Sequence, residues 1–458
     1  MVQISSESSY VYNFKSSSTW LSGDLSRESR GEEPCFHGKN AIDDINGFKE
    51  DHPSTLGNSD GMLFFAFPYG QGSQPMAILS LIFYFLNICL FVLFHVSTLA
   101  RFVLEPEAFI RQLKHPSYSL FFSCYPMGAT TILNVSINVI YAYYGIGGRS
   151  FVYLIWALWW INIAVSALCF WGCTYLMITR HSHSLPAMTA AWILPVVTFV
   201  VASSTGAIIA EAVRGFSAHS AFITVTVSAF LLTLGLLLAS MMLTVYILRL
   251  VVYGFPPGLS VLSVFLPLGV SAQASYSISL IGAEFQSLIP LVSSQSPFFS
   301  LNSSPDTILI FCTTASFILW SWAVLWISYA VLGLLHVLRK TKIQFKLTAW
   351  GLVFPNGVFA NLTIHLADVF NAPFFRVVGA IYSVLTFLLW CYISYNSLLM
   401  VPSLFKTTAH PTIPEKDEAI DPASKSTPNL PSSQNLPRSR IESVDSAEVP
   451  GYEDTVIG

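Results

Sequence analysis

Nine stretches of this chain are long and apolar enough to cross a bilayer as helices, and none carries an Asp, Glu, Lys or Arg near its centre. They run at 76–100, 118–143, 151–178, 187–210, 219–248, 259–283, 307–337, 347–369 and 374–400. A hydrocarbon core about 30 Å thick needs about 20 helical residues. A tenth stretch, Gly61–Tyr69, is apolar but too short to span. The expectation is therefore an all-α integral membrane protein.

The charges sharpen this. Only 10% of the 458 residues are charged, against about 25% in ordinary soluble domains, and the mean hydropathy is +0.60. Residues 1–60 hold 15 of the 47 charges and residues 402–458 hold 14, leaving 18 for the 341 residues between. The organisation expected is a polar, disordered head (1–60), a membrane transport domain (61–401) and a disordered, Pro- and Ser-rich tail (402–458). A soluble enzyme, a nucleic-acid binder and a disulfide-knit secreted domain do not fit. Seven cysteines, six of them in apolar stretches, have the spacing of neither a zinc site nor a disulfide framework. Cys169 and Cys173, one turn apart, read as small packing residues.

Lys and Arg set the orientation. One set of alternate loops holds Arg101, Arg111, Lys114, Arg180, Arg249, Arg339, Lys340, Lys342 and Lys346, and the other holds Arg149, Arg214 and Arg376. The first set, and with it the C-terminal tail, is expected in the cytoplasm. If Gly61–Tyr69 is not a span, the head then lies outside. The longest outer loop, 284–306, carries a glycosylation sequon at Asn302. Sequons at Asn134 and Asn361 fall within spans.

Four alternate spans share a proline at similar depth: Tyr125-Pro126-Met127-Gly128, Leu194-Pro195, Leu266-Pro267-Leu268-Gly269 and Phe354-Pro355-Asn356-Gly357. This reads as a repeated hairpin of one kinked inner helix and one straight outer helix. Its extension predicts a fifth inner helix ahead of residue 76, ending near Gly61–Tyr69. Five inner helices around an axis make a pore, with Tyr125, Leu194, Leu266 and Phe354 as a collar. Thr130, Thr131, Ser203, Ser204, Thr205, Ser271 and Ser275 follow the prolines and are candidate anion-facing hydroxyls. Of the middle-region acids, Glu105, Glu107, Glu211, Glu284, Asp306 and Asp368 are all expected at span ends or in loops. His95 and His365 are the only candidate intramembrane proton carriers, and both also suit hydrogen-bonded packing. Arg180-His181-Ser182-His183 reads as a basic interfacial loop. There is no HExxH and no phosphate-binding loop. The residues describe a passive or gated conduit, not an enzyme, with no cofactor and no metal.

The longer motifs carry a resemblance. His115-Pro116 with Ser119-Leu120-Phe121 and Tyr125-Pro126-Met127-Gly128-Ala129-Thr130, Leu158-Trp159-Trp160-Ile161, Met188–Pro195, Ser263–Gly269 with Gln273, Phe354–Ala360 and Pro373–Val377 occur in that order. Over about residues 70–401 the chain resembles the tellurite-resistance/dicarboxylate transporter family, which includes slow anion channels, malate permeases and sulfite efflux pumps. The wording is most like the fungal sulfite efflux pumps. The resemblance implies ten helices in five hairpins around a central pore, both termini in the cytoplasm, and a small inorganic or organic anion as substrate in the plasma membrane. It also implies a gating phenylalanine at Phe354 and a homotrimer as a possible assembly. The alternatives are a C4-dicarboxylate permease and, in another class, a membrane receptor or structural protein. Two departures stand out. A hydrophilic stretch precedes the Phe64–Tyr69 tail of the first helix, so that helix reads as truncated, and Asn162 stands where the sulfite pumps tend to have Asp.

Overall fold

The structure, a computed structural model, describes residues 74–292 and 304–409, apart from 105, 108–109, 111–113, 117–118, 182 and 342–344. The head with Gly61–Tyr69, the Asn302 sequon and the tail beyond 409 lie outside the described residues. Among those described, nine helical spans are long and apolar enough to cross a membrane.

The first span is α1 (Gln74–Leu104). The second begins as a 3-10 lead (Ser119–Ser123), continues as α2 (Cys124–Val135) and ends in a π segment (Ser136–Tyr143). The third is α3 (Gly148–Ala167), a π segment (Leu168–Cys173) and α4 (Thr174–Thr179). Then follow α5 (Leu194–Arg214), α6 (Ala218–Tyr253), α7 (Leu266–Val292), α8 (Ser304–Leu338), α9 (Val353–Val369) and α10 (Pro373–Ala409).

Inner and outer spans separate by burial. In the spans containing α2, α5, α7 and α9, between 56% and 100% of the most apolar stretch is buried; in the other five the share is 11% to 39%. These are the four proline-bearing spans, so the alternation read from the sequence is the alternation of the fold. The outer helices show why they lie outside. In α8, Phe311, Ile318, Leu325 and Leu332 recur every seven residues and stay exposed, whereas Ser316, Ala323, Ala330 and Val337 form a second stripe that is buried. Apolar solvent outside gives no hydrophobic reason to bury large side chains, so helices meet where small ones allow close approach. That stripe faces α7, where Ser275 and Ser316 exchange hydroxyl bonds with each other's main-chain carbonyls at 2.6 and 2.9 Å.

Helix ends follow ordinary capping rules. The Ser217 hydroxyl accepts from the Ser220 amide at the start of α6. Gly254, with φ of 75°, ends it.

Candidate functional site

The four inner spans share one local design. Each opens on a 3-10 lead: Ser119–Ser123, Ala190–Ile193, Gly258–Phe265 and Leu347–Leu352. Each then becomes α-helical with its proline second or third in the new helix: Pro126, Pro195, Pro267 and Pro355. A first-turn amide has no intrahelical acceptor, so proline costs nothing there. The prolines therefore mark the change from 3-10 to α, and do not break a helix interior as the kink reading expected. Because these are alternate spans, their helices run in the same sense. Their N-terminal, partially positive ends all lie on the side of the Lys- and Arg-rich loops.

The collar residues are not equivalent. Pro126, Gly128, Leu194, Pro195, Pro267, Gly269 and Pro355 are buried, while Leu266, Phe354 and Gly357 are half-buried and Tyr125 is exposed. The structure brings Phe354 to Gly269. A Cβ at Gly269 would lie 3.2 Å from Pro355 Cα and 3.3 Å from Phe354 Cε1. A side chain at Gly269 would be tight here, and Pro355 or the ring would have to give by a few tenths of an ångström. Tyr125 turns elsewhere. Its hydroxyl lies 2.6 Å from His95 Nε2 and its ring stacks on Phe91, both on α1.

Gly269→Ala is accordingly expected to push the Phe354 ring off the α7 wall and lower anion flux several-fold at normal surface abundance. The loss should vanish when Phe354 is also alanine. Flux into liposomes checks both, and equal losses in the two backgrounds would separate Gly269 from the ring.

The candidate hydroxyls behave differently from the expectation. Thr130, Thr131, Ser203, Ser204, Thr205 and Ser271 donate to carbonyls three or four residues back in their own helices, and Ser275 donates to Ser316 O. Their protons are thus committed to the main chain, and an anion meeting them meets lone pairs unless they rotate. The side-chain links between inner helices bring in further groups as donors. Gln273 Nε2 donates to Ser204 Oγ at 2.6 Å, Ser277 donates to Val200 O at 3.1 Å, and Ser279 Oγ sits 2.9 Å from His365 Nε2. His365 is thereby placed between α7 and α9, 1% exposed. The Tyr382 hydroxyl on α10 donates to Asn356 Oδ1, fixing the residue between Pro355 and Gly357.

Two charged residues lie deeper than the sequence suggested. α7 runs on to Val292, so Glu284 is not at a helix end; its carboxylate is buried 3.5 Å from Arg214 on α5. Arg249, expected in a loop, is buried within α6. Hydropathy windows blur both, since a single charge barely moves a mean. Cys169 and Cys173 pack on the first lead, their thiols 3.9 and 3.8 Å from Phe122 O and Ser119 O. The thiols of the described cysteines are free, and no group of three His, Cys, Asp or Glu side chains among the described residues could hold a metal.

Parallel inner helices with buried polar seams, wrapped by helices whose outer faces are apolar, define a multi-pass membrane transport protein. The chain belongs to the voltage-dependent anion channel family, whose model matches residues 54–398. It is an anion transporter working in a lipid bilayer. It is 29% identical over 312 residues to the sulfite efflux pump SSU1 of Arthroderma benhamiae, covering 68% of this chain and 80% of that one. The namesake of Trichophyton rubrum is 28% identical with the same coverage. The malic acid transport protein of Schizosaccharomyces pombe is 25% identical over 371 residues, 80% of this chain and 79% of its own.

Proposed function

We propose that the chain exports sulfite or bisulfite from the cytoplasm across the plasma membrane, through a pore walled by α2, α5, α7 and α9 and gated by Phe354. The observation that carries this is the parallel set of inner helices whose positive ends meet at the basic loops. Helix ends and loop cations act together there, drawing anions to the cytoplasmic mouth. Bisulfite is small, singly charged and rich in acceptors, which suits such a mouth. The likeness to the sulfite efflux pumps supports the same substrate. In this reading residues 1–60 are an appended head, 61–401 the transport domain, and 402–458 a cytoplasmic tail. Tyr125, Leu194, Leu266 and the repeat prolines and glycines (Pro126, Gly128, Pro195, Pro267, Gly269, Pro355, Gly357) shape the conduit, and the assembly is a homotrimer.

Expression in a sulfite-sensitive yeast host tests this. The expected result is growth on sulfite together with lower intracellular sulfite. Uptake of labelled malate without sulfite resistance would favour the second reading, a dicarboxylate permease, for which the malic acid transport protein argues because the match covers 80% of the chain.

The topology has its own check. Asn302 is expected to carry a glycan, seen as a gel shift removed by glycosidase and abolished by Asn302→Gln. A sequon engineered into the cytoplasmic tail should stay bare, and glycosylation there would invert the orientation.

A further inference from the structure

The residue that follows each repeat proline is buried: Met127, Val196, Leu268 and Asn356. Val196 and Leu268 have no polar side-chain atom, and Met127 has only a thioether. The amide stands in α9, two positions after Phe354. A buried amide is costly unless its ends are paired, and Asn356 is paired at both. Its Nδ2 donates to Leu352 O at 2.7 Å, and its Oδ1 accepts from the Tyr382 hydroxyl. An amide oxygen can only accept, so the phenol is the donor.

The two bonds bracket the Phe354 ring. Leu352 closes the fourth 3-10 lead, and Asn356 lies in the first turn of α9. Phe354 sits midway between them in the chain. Through one amide, Tyr382 therefore holds the turn in which 3-10 passes to α and from which the ring leaves. The hold comes from the outer layer. Tyr382 belongs to α10, where Ile381 and Leu385 are exposed. Its own ring is seated edge-on against the buried Phe359 of α9, with centroids 4.9 Å apart.

We infer that Tyr382 and Asn356 are positioning residues for the gate: their hydrogen bond fixes the turn 352–356 so that the Phe354 ring stays beside Gly269 on the α7 wall. This rests on the reading of Phe354 as the gate. With the tie cut, the turn is freer to rotate, and the ring spends more of its time off the wall and across the conduit. The tie thus favours passage, and it does so from a helix outside the inner ring.

Tyr382→Phe removes the hydroxyl and keeps the ring on Phe359. Flux of labelled sulfite from liposomes holding the full chain, or of malate if the wild type carries that instead, is expected to fall several-fold at equal protein. In a Phe354→Ala background the same substitution should leave flux unchanged, because no ring remains to be misplaced. Asn356→Leu should act as Tyr382→Phe does. Thermal unfolding separates positioning from packing. Either single change strands a buried polar group and should lower the midpoint, whereas Asn356→Leu with Tyr382→Phe removes both partners and should restore it. Flux should stay low in that double variant, since stability returns and the tie does not. Flux that recovers with the midpoint, or that falls equally with and without the Phe354 ring, would make the pair a packing element and overturn the proposal. Unchanged flux in Tyr382→Phe would overturn it equally; in all three cases a raised flux in Phe354→Ala alone would leave the gate standing. Unchanged flux in Phe354→Ala alone would remove the gate and the positioning role together.

Discussion

Phe354→Ala is expected to raise anion flux about tenfold, which corresponds to about 1.4 kcal/mol off the barrier to passage. The ring sits at the start of α9, immediately before the repeat proline, and is half-buried. A ring in that state is packed on protein over only part of its surface. The main-chain approach of Pro355 to Gly269 does not involve the ring, so alanine should leave the α7–α9 seam in place. Truncating a fully packed phenylalanine costs about 3–5 kcal/mol; at a half-buried position the loss is smaller, and the folded protein should accumulate. Conductance under voltage clamp, normalised to surface protein, reads the result. Unchanged or diminished current at normal surface abundance would remove Phe354 from the gate.

The largest effect on folding is expected at Gly206. A Cβ there would fall 2.0 Å from Ser228 Oγ and 2.4 Å from Trp159 Cζ2. Trp159 cannot retreat. It is completely buried on α3, and its indole nitrogen donates to Ala202 O of α5 at 3.0 Å. Three helices thus meet at one glycine. Overpacking of this kind costs about 1–3 kcal/mol or more, against a total stability of about 5–15 kcal/mol. Gly206→Val should therefore fail to reach the cell surface. Gly206→Ala should fold with a lowered unfolding midpoint, partly restored by Ser228→Ala, which removes the nearer obstacle. Wild-type surface levels of the valine variant would refute this packing.

The helix alternation was legible in the sequence because it rests on local marks. Prolines in alternate spans identified the inner helices, and the charge-free centres identified the spans. The meaning of the prolines was less legible. A proline in an apolar run looks the same whether it breaks a helix or begins one. The 3-10 leads that settle the matter carry Ser, Ala, Gly and Leu, which are at home in either geometry. The hydroxyls were visible too, but not their aim. Ser203 and Ser271 turn to their own helices' carbonyls while Gln273 reaches across to Ser204, a choice made by the spacing of α5 and α7. The collar was only partly readable for the same reason. Phe354 and Gly269 meet, whereas Tyr125 pairs with His95, 30 residues away in sequence.

By itself the sequence determined the class of protein, the number of its described spans and the identity of its inner helices. Apolar length and the placement of Lys and Arg are additive along the chain and need no partner to be read. Tertiary structure decided which polar groups are satisfied and which are not. It put the buried Glu284 of α7 beside Arg214 at the end of α5. It set Phe354 against a glycine 85 positions earlier, and it buried Arg249 with two carbonyls and, among the described residues, no carboxylate. Each of these depends on distances between helices, and those distances are fixed by glycines and small residues meeting across interfaces that no single stretch of sequence contains.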